Sequence, residues 1–551
     1  MNRSCSFTSI IPAAMLLLVL GMTSTVFAQT RPTGASTAND RDATSLTRIS
    51  KPTPGHPASG VYYEIFVRSF YDSNGDGIGD LNGVTQKLGY LKWLGVSGIW
   101  LMPINPSPSY HGYDITNYRA INPQYGTMKD FKHLLAAAHR LGIKVIMDLV
   151  INHTSNRNPW FKAAQNPRSP YRNWYYWAGP KTHLKAVSVI GGPVWRADGQ
   201  QHYMGIFSPG MPDLNYNNPA VRQAMISIGR FWLNLGVDGF RLDAARHMYV
   251  KRPAQVHNPV AVSKDIAWWT EFRQGIDTSN PHAYLVGEVT DNDYRQMAPY
   301  FKPLNATFDF PLARRLIRMA SAEHNDHLGA TLVHIQKVYR SATGHYVQDA
   351  PFLSNHDQNR VMSDLHGNRN HMKVAAQLLL TLPGNPFIYY GEAIGMRGVK
   401  PDPHLREPMR WELSRSAPGE TTWETSPMPT AEDVSVAAER HNPDSLLRLY
   451  RTLIHWRQQI APLRNGIVAT YRVANPALVA YRLSSQGTQI LVVHNLSGKP
   501  HTMTLLAPRY GHFDQVLRKT RSDIRLHHHS LEMPPYSTAI LDARHSSLVH
   551  H

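Results

Sequence analysis

From Val61 onward the chain alternates between two patterns. Short runs rich in β-branched and aromatic residues recur, and between them apolar residues repeat at helical spacing. The runs are Val61–Val67, Gly98–Met102, Lys144–Val150, Val237–Asp243, Ala283–Glu288, Ala306–Phe310, Pro351–Ser354 and Pro386–Tyr390. Between the first two, Leu81, Val84, Leu88, Leu91 and Leu94 line one face of a predicted helix. After the second, Phe131, Leu134, Leu135, Ala138 and Leu141 line another, and Gly142 is placed to cap its C-terminus. Asn218 and Pro219 read as an N-cap and first-turn proline, leading into Val221, Met225, Ile228, Trp232 and Leu235. Strands alternating with helices in this way predict an α/β chain folded as a (β/α)8 TIM barrel, built from residues 60–152 and 218–465.

Two intervals depart from that rhythm. Residues 153–217 are rich in Trp, Tyr, Asn, Gly and Pro and too irregular for one crossover helix, so an inserted domain after the third strand is expected. The barrel should end with a helix over Leu446–Ile460. From Ile467 apolar and polar residues alternate, as in Leu478–Leu483, and turn residues separate such runs; a C-terminal antiparallel β-sandwich over 466–545 is the natural reading. His527–His529 fall there, but three consecutive side chains on a strand point to opposite faces and cannot converge on one metal ion.

Hydrophobic content of 42% supplies ample core material, and the only cysteine is Cys5. Arg3, an apolar run Ile10–Val19 and then Val26-Phe27-Ala28 have the layout of a secretory signal peptide, residues 1–28, cut after Ala28. The competing reading, an N-terminal anchor helix, is opposed by Pro12 and the shortness of the run. Residues 29–59, rich in Ser, Thr, Pro and Arg, read as a flexible leader. The expected product is a secreted monomer, extracellular or periplasmic, without disulfides and without membrane attachment after cleavage. A net charge of +18 invites nucleic acid as a partner, but Lys and Arg are scattered and no nucleic-acid-binding motif appears, so none is expected.

In such a barrel, chemistry collects at the C-terminal ends of the strands. Those ends carry Asp148, Arg241 with Asp243, Glu288 and Asp357. Four carboxylates converging from different strands repel one another, a cost that function explains better than structure. Glycoside hydrolysis with retention needs two carboxyl groups about 5–5.5 Å apart, one ionised and one protonated. Arg241, two residues before Asp243 on the same strand face, can keep that aspartate ionised. Glu288 ends the hydrophobic strand Tyr284-Leu285-Val286, where desolvation would raise its pKa toward a general acid's range.

These residues sit in segments that resemble the α-amylase superfamily of glycoside hydrolases, from about Val61 to the C-terminus. Asp148–His153, Gly239–His247, Gly287–Val289 and Phe352–Asp357 resemble its third-, fourth-, fifth- and seventh-strand motifs, in order. Gly98–Pro103 and Gly384–Gly391 match the second- and eighth-strand signatures. The resemblance implies Asp243 as nucleophile, Glu288 as acid/base and Asp357 as a sugar-binding catalytic carboxylate. It also implies that Tyr113, Asp114, His153, Arg241, His356 and Arg406 contact the sugar. Met211–Asn215 is similar to the motif of the group intermediate between oligo-1,6-glucosidases and neopullulanases. Ala244 and His247 resemble α-1,4-acting members, while Arg246 stands where lysine is common and Asn117 where aspartate is. The implied substrate is an α-glucan or malto-oligosaccharide. Because Arg406–Trp411 resembles an α-glucosidase loop, a transglycosylating or isomerising enzyme acting on short α-glucosides stays open, as does a non-catalytic glucan-binding protein.

One further segment, Asp72-Ser-Asn74-Gly-Asp76-Gly-Ile78-Gly-Asp80, places oxygen side chains at alternate positions between glycines. That is the pattern of a calcium loop, with Asp72, Asn74, Asp76 and Asp80 giving side-chain oxygens and Ile78 its carbonyl. It is not an EF-hand, because Gly83 stands where the twelfth-position glutamate belongs; a plain Gly-Asp turn is the alternative. Relatives of this family carry Ca2+ in the loop. Whether a second calcium sits near Asn152 is left open by the sequence.

Overall fold

The computed structural model describes residues 60–425, 434–506 and 512–543; the expected signal peptide 1–28 and leader 29–59 lie outside that range. In chain order the strands of the first part are β1 (Tyr62–Ile65), β2 (Gly98–Leu101), β3 (Lys144–Leu149), β4 (Trp195–Asp198), β5 (Gln201–Met204), β6 (Gly239–Leu242), β7 (Tyr284–Gly287), β8 (Ala306–Thr307) and β9 (Phe387–Tyr389). All but β4 and β5 form one parallel sheet in the order β8-β7-β6-β3-β2-β1-β9. The ring closes through Asp349–Pro351. Ala350 N–H donates to Thr307 O at 3.1 Å on one side, while Asn385 and Phe387 N–H donate to Asp349 and Pro351 O at 2.9 Å on the other. The expected strand Pro351–Ser354 is thus displaced toward its N-terminal end, since Pro351 has no N–H with which to carry the ladder onward. The (β/α)8 TIM barrel is complete, with its seventh strand reduced to this contact.

Local chemistry sets the helix boundaries. The helix Leu81–Leu94 starts at Asp80, whose carboxylate accepts the Gly83 N–H, and stops at Gly95, which has a left-handed φ of 98°. Asn218 caps Pro219–Asn234 as expected. The expected run Ala306–Phe310 is cut to two residues because Asp309 accepts the Leu312 N–H and starts the helix Phe310–Ala322.

The barrel interior is filled by rings. Tyr62 stacks between Tyr284 and Phe387 at 5.1 and 5.0 Å, with Trp100, Ile146, Phe308 and Phe352 in the same cluster. Side chains two residues further along a strand face the same way. Glu64, Asp148 and Arg241 therefore form the next layer, at the C-terminal mouth, and the functional site begins there.

Between β3 and β6 the chain folds into short helices, turns and the hairpin β4–β5, packed around Phe161, Tyr175, Trp177 and Tyr203. It is tied to the barrel where Leu214 N–H donates to Asn152 O at 3.0 Å. After the helix Leu446–Gln459 come β10 (Ile467–Thr470), β11 (Leu478–Ser485), β12 (Thr488–Asn495), β13 (His501–Thr504), β14 (Phe513–Lys519), β15 (Arg525–His527), β16 (Ser530–Met533) and β17 (Ser537–Ala543). They make two antiparallel sheets, β10-β11-β12-β17-β14 and β13-β16-β15. Leu478, Ala480, Leu491 and Val493 face the smaller sheet, whereas Val479, Tyr481, Ile490 and Val492 join the barrel's core. Both faces of β11 and β12 are buried, which is why their sequences are more uniformly apolar than those of a strand with one wet face. Among the described residues no helix is long and apolar enough to cross a membrane.

Candidate active site

Arg241 is the centre of the mouth. Its side chain is 1% exposed. One terminal nitrogen, Nη1, lies 3.1 Å from Asp148 Oδ1 and 2.6 Å from Asp243 Oδ1; the other, Nη2, lies 2.9 Å from Glu288 Oε2. A single buried cation thus gathers carboxylates from the ends of β3, β6 and β7. The main-chain N–H of Ala244 donates to the same Glu288 oxygen at 3.0 Å, so neither contact uses Oε1. Ala244 has a positive φ of 47°, a bend that turns the chain back toward β7.

The electrostatics follow from burial. Burial lifts Asp148 to about 7, against the pull of Arg241. Burial also raises Asp243, with Arg241 opposing through both charge and a direct hydrogen bond. For Glu288 burial again leads, Arg241 opposes, and the negative charges of Asp243 and Asp357 push it further up. Arg241 and the Ala244 N–H relieve Glu288 in part, while Asp243 bonds Arg241 directly; both carboxyls stay raised by burial, and their titrations are coupled.

Asp357 completes the set from the opposite wall. Its Oδ1 accepts from Arg406 Nη2 at 2.8 Å, its Oδ2 lies 3.3 Å from His356 Nε2, and its side chain is 46% exposed. Partial desolvation works against ionisation, but His356, Arg406 and Arg241 outweigh it and hold this carboxyl well below the ordinary range. Arg406 is fixed by donating from Nε to His356 O at 2.9 Å and by Asp402 at 3.3 Å.

The remaining residues expected to contact the sugar are held by different partners. Tyr113 donates its hydroxyl to Asp148 Oδ2 at 2.9 Å and meets His356 Nε2 at 2.6 Å. Its ring lies nearly parallel to that of His356, 5.4 Å away and offset along the hydroxyl edge. His153 contacts Tyr113 O through Nε2 at 3.0 Å, and burial lowers its pKa to about 4. Asp114 stands apart from the carboxylate cluster: it accepts from Ser107 Oγ at 2.5 Å and from Ser109 Oγ. Arg246 points away from the mouth, donating to Thr290 O at 2.7 Å and Val256 O at 2.6 Å and pairing with Asp291.

Two residues that the sequence reading did not single out are built into the site. Glu64 is 1% exposed with Oε1 2.6 Å from His356 Nδ1; a lone acid inside the apolar run Val61–Val67 was the available signal. Lys251 lies where a cation near Asn152 would sit: its ammonium is 2.6 Å from both Asn152 Oδ1 and Asp213 Oδ1. Nothing in the local sequence marks it, because its partners come from β3 and from the inserted segment.

The loop Asp72–Asp80 lies between the short helix Val67–Phe70 and the helix Leu81–Leu94. Asp72 accepts the N–H groups of Asn74, Gly75 and Gly77 at 3.1, 2.7 and 2.7 Å, and Asp76 that of Ile78 at 2.8 Å. Asp80 accepts from Ser73 and Gly83 at 2.8 Å. Among the described residues no three His, Cys, Asp or Glu side chains converge as a metal-binding group. Asp72 Oδ1 and Asp80 Oδ1 each accept two hydrogen bonds, whereas Asp72 Oδ2, Asp80 Oδ2 and both Asp76 oxygens accept one apiece and keep a lone pair free; an all-oxygen set suits a hard cation.

Comparison with known proteins shows the family of the chain. Residues 64–466 match the alpha amylase catalytic domain, and residues 478–540 match the alpha-amylase SusG C-terminal domain. The chain is 41% identical over 445 residues to alpha-amylase 3 of Dictyoglomus thermophilum, covering 80% of this chain and 85% of that one. It is 32% identical over 510 residues to the trehalose synthase/amylase of Mycolicibacterium smegmatis, covering 81% and 85%. The alpha-amylase structure from H. orenii superposes with a TM-score of 0.81 at 46% identity, covering 88% of this chain and 99% of that one. With its barrel, its mouth of carboxylates and a match across most of its length, the chain belongs to the α-amylase catalytic-domain family.

Proposed function

We propose that this protein is a secreted, retaining glycoside hydrolase that cleaves α-1,4 bonds in starch and malto-oligosaccharides. The observation that carries the reading is Arg241, which holds Asp243 and Glu288 through separate nitrogens and so sets two carboxyl groups side by side at the mouth. Asp243 attacks the anomeric carbon while Glu288 gives its proton to the glycosidic oxygen, and the leaving glucan departs with that oxygen as a hydroxyl. Glu288, now ionised, takes a proton from water; the resulting hydroxide displaces Asp243 and frees a product of α configuration. Asp357, His356, His153 and Arg406 bind the sugar hydroxyls at the cleavage site. The small side chain of Ala244, next to the nucleophile, supports the α-1,4 preference.

Asp72, Asn74, Asp76, Asp80 and the Ile78 carbonyl are the proposed Ca2+ ligands. The ion would offset repulsion among three carboxylates and supplies no catalytic step. Residues 1–28 direct export, and the enzyme acts as a monomer in the periplasm or medium.

Digests of soluble starch, maltotetraose, isomaltose and maltose, followed by chromatography and NMR of the first products, test the reading. Malto-oligosaccharides in the α form, with isomaltose untouched, are expected. A first product in the β form refutes the double displacement. The second reading, an isomerising or transferring enzyme, is favoured by the similarity to trehalose synthase/amylase; trehalose from maltose, with starch intact, would establish it.

A further inference from the structure

Glu64 has no part in the steps above, yet it is a fully enclosed acid at the mouth, with a side chain 2% exposed. Its carboxyl lies 2.6 Å from His356 Nδ1, and the other ring nitrogen of His356 lies 2.6 Å from the Tyr113 hydroxyl and 3.3 Å from Asp357. Proton counting along this chain fixes the arrangement. The Tyr113 hydroxyl has one proton and gives it to Asp148 at 2.9 Å, so toward His356 it can only accept. His356 must then carry its proton on Nε2. Burial keeps the ring neutral, and a neutral imidazole protonated on Nε2 has an accepting Nδ1, so the group facing Nδ1 is a donor.

We propose that Glu64 is a positioning residue for the reaction, a protonated acid that holds His356 in the tautomer whose Nε2–H faces the sugar pocket. This rests on the glycosidase reading of the same site. The opposite arrangement, an ionised Glu64 accepting from Nδ1–H, would turn the Nε2 lone pair toward the Asp357 carboxylate and leave Tyr113 with two acceptors for one proton. Of the groups facing Glu64, Arg241 from β6 and the main-chain N–H of His356 favour the ionised form, Asp357 beside His356 and Asp148 from β3 favour the acid, and Tyr389 from β9 is neutral. Arg241 is shared among three other carboxylates, and burial decides for the acid. Burial raises the Glu64 pKa well above the ordinary value and lowers that of His356, in keeping with a neutral pair. The ring of His356 is further braced edge-on by Trp100 at 5.6 Å.

Two variants and one spectrum test the proposal. Glu64→Leu keeps the volume but removes the donor, and kcat/KM on maltotetraose should fall on the order of 10²-fold, mostly in kcat, from a misplaced contact at the reacting sugar. Glu64→Gln offers an amide N–H to Nδ1 and should stay within about tenfold of the native enzyme. The infrared difference spectrum, native minus Glu64→Gln, should show a carboxylic-acid C=O stretch at neutral pH. Native kinetics in a folded Glu64→Leu protein would overturn the positioning role, and carboxylate bands in the difference spectrum would overturn the protonated form. The spectrum needs no substrate. A native enzyme that leaves maltotetraose intact would therefore refute the glycosidase reading, separately from the state of Glu64.

Discussion

Replacing Lys251 by Met isolates the contribution of one buried cation. The Lys251 side chain is 5% exposed and that of Asp213 fully buried. Asp213 Oδ1 takes the ammonium at 2.6 Å and the Asn152 amide at 3.0 Å, while Oδ2 accepts the Ile206 N–H at 2.7 Å. Three separate pieces of chain meet here: the end of β3, the inserted segment and the loop after β6. Methionine matches the lysine stem closely, so little cavity opens, and the main effect is a carboxylate left without its counter-charge. Loss of one partner from a buried pair costs about 3–5 kcal/mol. Two hydrogen bonds to Asp213 survive, which places the expected value toward the lower end, about 3 kcal/mol. Denaturant unfolding of Lys251→Met, followed by tryptophan fluorescence, should show this loss, and limited proteolysis should find the inserted segment more easily cut. The double variant Lys251→Met/Asp213→Asn, which removes the stranded charge, should recover most of it. A cost below about 1 kcal/mol, or no recovery in the double variant, would refute the view that the ammonium compensates a buried carboxylate.

Asp243→Asn and Glu288→Gln should each lower turnover of starch by several orders of magnitude, and Glu288→Gln should recover in part on substrates with good leaving groups when azide replaces water; near-normal starch hydrolysis by Glu288→Gln would reassign the acid. Chelation should lower the melting temperature by several degrees with little change in initial rate at low temperature, and Asp76→Ala should mimic it, because a ligand at a hundredfold excess over its Kd stabilises by about 2.7 kcal/mol. Burial lowers the pKa of His494 to about 3, below its unfolded value, so its contribution to stability is complete above about pH 6.5 and is lost as the pH falls. Between pH 6.5 and 4.5 the native protein should lose about 2 kcal/mol more than His494→Gln, measured by denaturant titration at each pH, and equal losses would show that this histidine is protonated in the folded state.

Much of this molecule is legible from local sequence. Period-2 and helical patterns place the barrel strands and helices, and Asn218-Pro219 and Asp80 mark helix starts because capping depends on neighbours a few residues apart. That Asp243, Glu288 and Asp357 gather at the barrel mouth is legible too, because each stands at or just after the end of a barrel strand. Other features depend on which distant segments meet. That Pro351 ends its pairing early, that both faces of β11 and β12 are covered, and that Asp114 bonds to Ser107 and Ser109 and stands apart from the carboxylates are decided by tertiary packing. The pairs Glu64–His356 and Lys251–Asp213 join residues 292 and 38 positions apart. A buried charge finds its partner through space, where desolvation makes pairing obligatory. Sequence alone therefore supplies the charged residues of this site, and only the closed barrel determines which of them neutralise one another.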